Sequence, residues 1–250
     1  SRVSLSSSAK QLLVERPVST EAAKGFFGDY EQTNLQAYGK FADGVFNYYF
    51  AVGDGTASPA SGTATNATGV ESNVAYVGRI ELAPPGWVEK GKSDAYLGKG
   101  KHLAFGLHTG SQKGLKSLTS ATETDRSLLG GDISFHMGGF TAQAEYNTWK
   151  TETTGATDVE PKGQYVQLGY FIPGVNLEPV ARYEIFDRDS NAATDKEDKI
   201  TTLGVNWYFK GHSMKLGANW VRTEFGRGNL TGTNPDDTQT ESTFGASMAS

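Results

Sequence analysis

Lys40, Arg79, Glu81, Asp132, His136, Glu145, Glu178, Arg182, Glu184 and Lys215 are the residues best placed for chemistry, because each falls on the polar phase of an alternating stretch. Arg79 with Glu81, and Arg182 with Glu184, set opposite charges two places apart, on one side of an extended chain. Such residues can brace a wall by pairing with one another. In a narrow passage they can also filter ions by their field. The signs here are mixed, and both readings stay open.

Other constellations are weaker. Asp187, Asp189, Asn191 and Asp195, followed by Asp198, have the oxygen spacing of a calcium loop. The glycine needed at the sixth position is Ala192, and the closing carboxylate is Asp rather than Glu. A solvated acidic loop is the preferred reading, with calcium as the alternative. The histidines (His102, His108, His136, His212) lack HExxH spacing, and no nucleophile stands beside a base. No enzyme activity and no cofactor are expected. The glycosylation-like triplets Asn66-Ala67-Thr68 and Asn229-Leu230-Thr231 read as chance matches in polar loops.

The elements that must position the charged residues are strands. Thr201, Leu203, Val205, Trp207 and Phe209 share one face, opposite Thr202, Gly204, Asn206 and Tyr208. Met214, Leu216, Ala218 and Trp220 oppose Ser213, Lys215, Gly217 and Asn219 after the tight turn Lys210-Gly211-His212. The same alternation runs through Phe46 to Gly53, His102 to His108, Asp132 to Met137, Phe140 to Asn147 and Val166 to Ile172. It yields about twelve strand candidates of the length that tilted membrane-spanning strands need. Short turns at 42–44, 138–139, 173–176 and 210–212 alternate with long polar loops at 54–73, 111–126, 153–162, 188–198 and 226–237. One trimmed end and one elaborated end suit an outer-membrane barrel. Residues 84–98 break the rule, being long on the short-turn side.

Composition agrees. The 250 residues include 31 glycines, 13 phenylalanines, 11 tyrosines and 4 tryptophans, with 20% charged and only 37% hydrophobic. A barrel needs one apolar face per strand, so a low apolar fraction suffices. A net charge of −5 without a basic cluster argues against nucleic acid. Cysteine is absent, so disulfides and thiolate metal sites are excluded. No long apolar run could span a bilayer as a helix. A β-sandwich would share the alternation, with its apolar face turned inward. Aromatics clustered near strand ends, and polar faces of Gly, Asn, Gln and Tyr, weigh against it. The chain starts at Ser1 without a leader, as expected of a processed or truncated chain.

Several segments resemble the phosphate-selective porin family. They are Leu177-Glu178-Pro179-Val180-Ala181-Arg182-Tyr183-Glu184, Leu203-Gly204-Val205-Asn206-Trp207-Tyr208-Phe209, Lys215-Leu216 and Asn219-Trp220. Leu13-Val14-Glu15-Arg16-Pro17, Gly44 to Gly53, and Asp132 with Ala144-Glu145-Tyr146 belong to the same pattern. The resemblance implies an all-β, transmembrane antiparallel β-barrel of about sixteen strands, about twelve of them in this chain. It also implies a homotrimer in the bacterial outer membrane, bedded in lipid and lipopolysaccharide, that passes small solutes or ions. Residues 1–250 then form one barrel domain lacking its first strands, and the ending Met248-Ala249-Ser250 lacks the usual terminal aromatic.

The resemblance further implies one inward-folded loop that narrows the pore, and by counting strands back from the C-terminus residues 17–34 would be that constriction loop. Gly25-Phe26-Phe27-Gly28 suits a sharp bend against an inner wall. With the two residues leading in, this loop carries Arg16 and Lys24 against Glu15, Glu21, Asp29 and Glu31. A phosphate filter needs basic residues in excess. The expected pore-lining set is Arg16, Lys24, Glu31, Lys40, Arg79, Glu145, Arg182, Glu184 and Lys215, and the expected function is a passive channel without strong phosphate preference. The alternative is a barrel scaffold or adhesin whose long external loops bind a partner.

Overall fold

A computed structural model describes residues 12–13, 17–18, 34–53, 70–71, 74–88, 95–117, 122–193, 196–226 and 238–248. They form twelve strands: β1 (Asn34–Phe41), β2 (Phe46–Gly53), β3 (Val70–Glu71), β4 (Ala75–Leu82), β5 (Lys101–Ser117), β6 (Glu123–Met137), β7 (Phe140–Thr153), β8 (Lys162–Tyr170), β9 (Leu177–Asp187), β10 (Glu197–Tyr208), β11 (Met214–Glu224) and β12 (Thr238–Met248). All belong to one sheet. Its order follows the chain from β1 through β2, β4 and onward to β12, and β3 pairs β5 off that path. Every pairing is antiparallel. No helix among the described residues is long and apolar enough to cross a membrane.

The sheet is inside out relative to a soluble protein. Leu107 is 60% exposed and Leu203 50%, whereas Glu184 is 1% exposed and Asn147 0%. Phe105, Ile133, Val166, Leu168, Val205, Trp207, Leu216 and Trp220 all share the exposed face. A sandwich would bury them against a second sheet; here the described strands make only one. The apolar face therefore meets lipid, and the concave polar face lines a lumen. On β7 the outward apolar run from Phe140 to Tyr146 covers about 20 Å of strand at ~3.3 Å per residue. Beyond it the outward positions turn polar, at Thr148, Lys150 and Glu152.

Aromatic rings mark the short-turn rim. Phe41, Phe46 and Tyr48 stack at 5.7 to 6.5 Å, and Trp207 lies 4.3 Å from Phe209. Rings of this kind prefer the boundary between headgroups and chains. The turns need left-handed backbone, supplied by Gly138 and Gly139 (φ 59° and 89°) and by Asp43 and Gly44 (φ 54° and 97°). A β-carbon on Gly139 would meet the Phe171 carbonyl at 2.7 Å, so this turn accepts no larger residue.

Two expectations are corrected. The loop expected at 111–126 is mostly strand: β5 runs to Ser117 and β6 starts at Glu123. A register shift between Gln112 and Leu115 is held by the Gly114 N–H donating to Asp125 Oδ1 at 2.8 Å. Along this stretch the apolar alternation that signals a strand disappears. The 54–73 loop also contains a strand, since Val70 and Glu71 pair with Ser117 and Lys116.

The phase of β10 and β11 makes a direct expectation. Cysteine placed at Leu203, Val205, Trp207, Leu216 or Trp220 should react with a lipid-soluble maleimide and resist a charged thiol reagent. Lys215→Cys and Asn219→Cys should show the reverse. Equal aqueous labelling of both groups would refute the orientation.

Candidate functional site

The lumen face carries the polar residues of β4 to β11, and register joins them into networks. Arg79 on β4 pairs His108 on β5, which lies opposite Gly130 on β6, and Asp132 faces Glu145 across β6 and β7. The Arg79 guanidinium grips Asp132 through two nitrogens, one of them Nη2 at 2.9 Å from Oδ1. Nη2 also donates to Glu81 Oε2 at 3.2 Å. His108 Nδ1 lies 3.3 Å from Arg79 Nη1 and 3.6 Å from Asp132 Oδ2. Its Nε2 lies 2.6 Å from Asn147 Oδ1, while Asn147 Nδ2 donates to Glu145 Oε1 at 2.6 Å. If His108 donates from Nε2 to the amide oxygen, its Nδ1 is left to accept from Arg79.

A second network follows along the wall. Arg182 Nε on β9 donates to Glu184 Oε1 at 2.6 Å, and its Nη1 reaches Gln167 Oε1 on β8 at 3.5 Å. Gln167 Nε2 in turn donates to Gln143 Oε1 on β7 at 3.1 Å. Glycines make the space for these side chains. A β-carbon on Gly106 would sit 2.3 Å from Arg79 Nη2, and one on Gly130 would sit 2.1 Å from Asn147 Oδ1.

A segment outside the wall lies on it. Leu12 and Leu13 are buried with Phe171, Val180, Tyr208 and Ala95. Asn206 on β10 donates its side-chain amide to the Leu12 carbonyl. Higher up, the Val18 N–H donates to Glu184 Oε2 at 2.7 Å. The inward faces of β8 and β10 are cut away to receive the leucines: a β-carbon on Gly204 would come 2.5 Å from Leu13, and one on Gly169 would come 3.6 Å from Leu12. Close by, the Tyr208 hydroxyl donates to Glu178 Oε2 at 2.5 Å, and the Lys215 ammonium stands 6.0 Å over the Tyr208 ring.

Arg79, Asp132, Glu145, Arg182 and Glu184 thus lie on one inner wall, with Glu178 and Lys215 nearer the short-turn end. Lys40 is exposed on β1, at one end of the described sheet. Arg16, Lys24, Glu31 and most of the 17–34 loop lie outside the described residues. His136 is stacked under Tyr96 at 3.3 Å. His108, Asn147, Gln143 and Gln167 were not singled out by sequence, although each shares a phase with residues that were. The acidic loop makes no cation cage among the described residues. Asp198 is held by Arg188 at 2.8 Å and by the Gly226 N–H, and Asp189 accepts from the N–H groups of Glu160 and Asn191. Asp195 lies outside the described residues.

An antiparallel meander with lipid-facing apolar residues and a charged, hydrogen-bonded interior defines the outer-membrane β-barrel class. Residues 1–240 match the sequence profile of the family described as Phosphate-selective porin O and P, and the chain belongs to that family. It is 38% identical over 233 residues to an uncharacterized protein of Aquifex aeolicus, covering 88% of this chain and 56% of that one. It is 25% identical over 192 residues to Porin O of Pseudomonas aeruginosa, covering 64% of this chain and 41% of that one. The chain therefore spans about half the length of these curated relatives. Among solved structures, an anion-selective porin from Comamonas acidovorans superposes with a TM-score of 0.57 at 15% identity, over 86% of this chain and 57% of that one. OmpT of Vibrio cholerae lacking loop L8 gives 0.51 at 11% identity, over 89% and 64%. These two likenesses concern the fold. The protein is an outer-membrane protein.

Removing Arg79 leaves Asp132 and Glu81 facing each other in a buried site. Arg79→Ala should lower the stability of the folded barrel in detergent by about 3 kcal/mol, as loss of one partner of a buried pair does. Asp132→Asn in the same background should restore part of it. A double variant no more stable than Arg79→Ala would show that the pair does not brace the wall.

Proposed function

We propose that this chain forms the greater part of the wall of a passive, water-filled channel for ions and small hydrophilic solutes across the outer membrane. The observation that carries the reading is the buried, charged inner face opposite an exposed apolar outer face. A barrel serving only as a scaffold for its external loops is the alternative, since paired charges can also brace a filled interior. Planar-bilayer conductance of the full-length protein separates the two: a scaffold with a filled lumen passes no current.

The channel does not select strongly for phosphate. Arg79 and Arg182 are already committed, Arg79 to Asp132 and Glu81 and Arg182 to Glu184. An entering dianion would meet those carboxylates at close range, where charge is poorly screened. A guanidinium freed to bind phosphate on two edges would be needed for a filter. In a salt gradient the reversal potential should show at most a weak anion preference, and added phosphate should leave the chloride current nearly unchanged. Block of chloride current by low phosphate would overturn this.

The 17–34 loop narrows the channel. Support comes from its approach: Val18 is tethered to Glu184 on β9, and Asn34 opens β1. Deletion of residues 20–30 should raise single-channel conductance. An unchanged value would place the constriction elsewhere.

A further inference from the structure

Charge on the outer wall is ordered. Leaving the apolar band toward the long loops, the outward positions of β7 are Thr148, Lys150 and Glu152. In the same direction β10 presents Thr201, Lys199 and Glu197, and β11 presents Arg222 and Glu224. On β8 Gln164 is followed by Lys162, and on β5 Ser111 is followed by Lys113. In each of these strands the first outward charge beyond the band is a cation. Where a carboxylate follows, it stands two places further from the membrane and pairs back. Lys150 lies 2.7 Å from Glu152, Lys199 3.5 Å from Glu197 and Arg222 2.8 Å from Glu224. On β6 and β9 the first outward charge is instead Asp125 or Asp187. Both of these carboxylates accept backbone N–H groups, from Gly114 at 2.8 Å and from Asp189 at 3.0 Å.

The cations also share a level. Lys162 is eight residues from Tyr170, Lys199 eight from Trp207 and Arg222 eight from Met214, all outward residues at the short-turn rim. Lys150 is ten from Phe140. At ~3.3 Å per residue and a strand tilt of about 40°, eight residues rise about 20 Å and ten about 25 Å. The apolar band of an outer-membrane barrel is about 25 Å tall. The row therefore lies at the far edge of that band, on the long-loop side, where headgroups begin. Lys162, Lys199 and Arg222 are exposed there, and Lys150 is half-buried.

We propose that this outer row of cations binds the phosphate groups of lipopolysaccharide in the external leaflet. The inference rests on the orientation of the barrel and not on the channel reading. Long cationic side chains can lay their stems on apolar surface and hold their charge at the headgroup level. Exposed ion pairs are worth little and exchange partners readily, unlike the buried pair of Arg79 with Asp132. Each cation can therefore turn to a phosphate while its carboxylate stays in water, away from the anion. The opposite order, with the carboxylate nearer the hydrocarbon, would repel the same headgroup. Cations one or two strands apart are separated by about 5 to 10 Å across the sheet. That spacing suits a wide headgroup carrying several phosphates, whereas a lipid with one phosphate engages one cation at a time.

The test titrates the full-length protein, in zwitterionic detergent, with purified lipopolysaccharide, with the same lipopolysaccharide stripped of phosphate, and with phosphatidylglycerol. The triple variant Lys162→Gln, Lys199→Gln, Arg222→Gln should bind lipopolysaccharide at least about tenfold more weakly than wild type. Phosphate-stripped lipopolysaccharide should bind wild type as weakly as the intact lipid binds the variant. The double variant Glu197→Gln, Glu224→Gln breaks the same two ion pairs but keeps the cations, and should bind at least as tightly as wild type. Lys162→Gln alone breaks neither pair and should weaken binding by about threefold, which keeps the test open if the triple variant does not fold. Folding is checked by heat-modifiable migration in gels. Equal weakening by the cation and carboxylate variants, indifference to the loss of phosphate, or phosphatidylglycerol bound as tightly as lipopolysaccharide would each overturn the proposal.

Discussion

A backbone N–H or C=O left without a partner in hydrocarbon costs several kcal/mol, and that constraint shapes everything else in this molecule. Strands meet it only when both edges are paired. The chain responds with an unbroken antiparallel run, each of β4 to β11 hydrogen-bonded on two sides. With the backbone satisfied by neighbours, side chains are free to be apolar outside and polar inside. The pleat then fixes orientation to the residue: a slip of one place in β10 would drive Asn206 into lipid and Trp207 into the lumen.

The interior follows from the same pleat. Inward positions must fill or line a space that tapers, so large polar side chains alternate with glycine. Gly106 and Gly130 vacate room for Arg79, His108 and Asn147; Gly169 and Gly204 vacate room for Leu12 and Leu13. Charges brought so close together cannot stay isolated, and the wall answers with neutralised pairs linked by amides. Arg182, Gln167 and Gln143 form such a chain across β7, β8 and β9.

The strand phases were legible from residues alone, because lipid and lumen write opposite chemistries on alternate positions. Leu203, Val205 and Trp207 against Thr202, Asn206 and Tyr208 needed no partner to be read. Pairing was not legible. Arg79 and Asp132 are 53 positions apart, and only the registers of β4 with β5 and β5 with β6 unite them. The upper β5–β6 hairpin is not legible as strand because polar residues and glycine interrupt the apolar alternation there. Leu12 and Leu13 carried no alternation to mark them as guests in a lumen. The 84–98 insertion stands out in the sequence only by its length.

The order of the sheet also bears on how such a wall can be made. Consecutive strands are neighbours nearly everywhere, and several are joined by turns of only a few residues. Each new strand can therefore dock on the one synthesised just before it, closing a short loop at small entropic cost. Assembly can advance hairpin by hairpin, each step presenting one fresh edge for the next, and only the closure of the barrel joins strands distant in sequence. The β3 strand, which reaches past β4 to pair with β5, is the local departure, and it can be added after its hosts are in place.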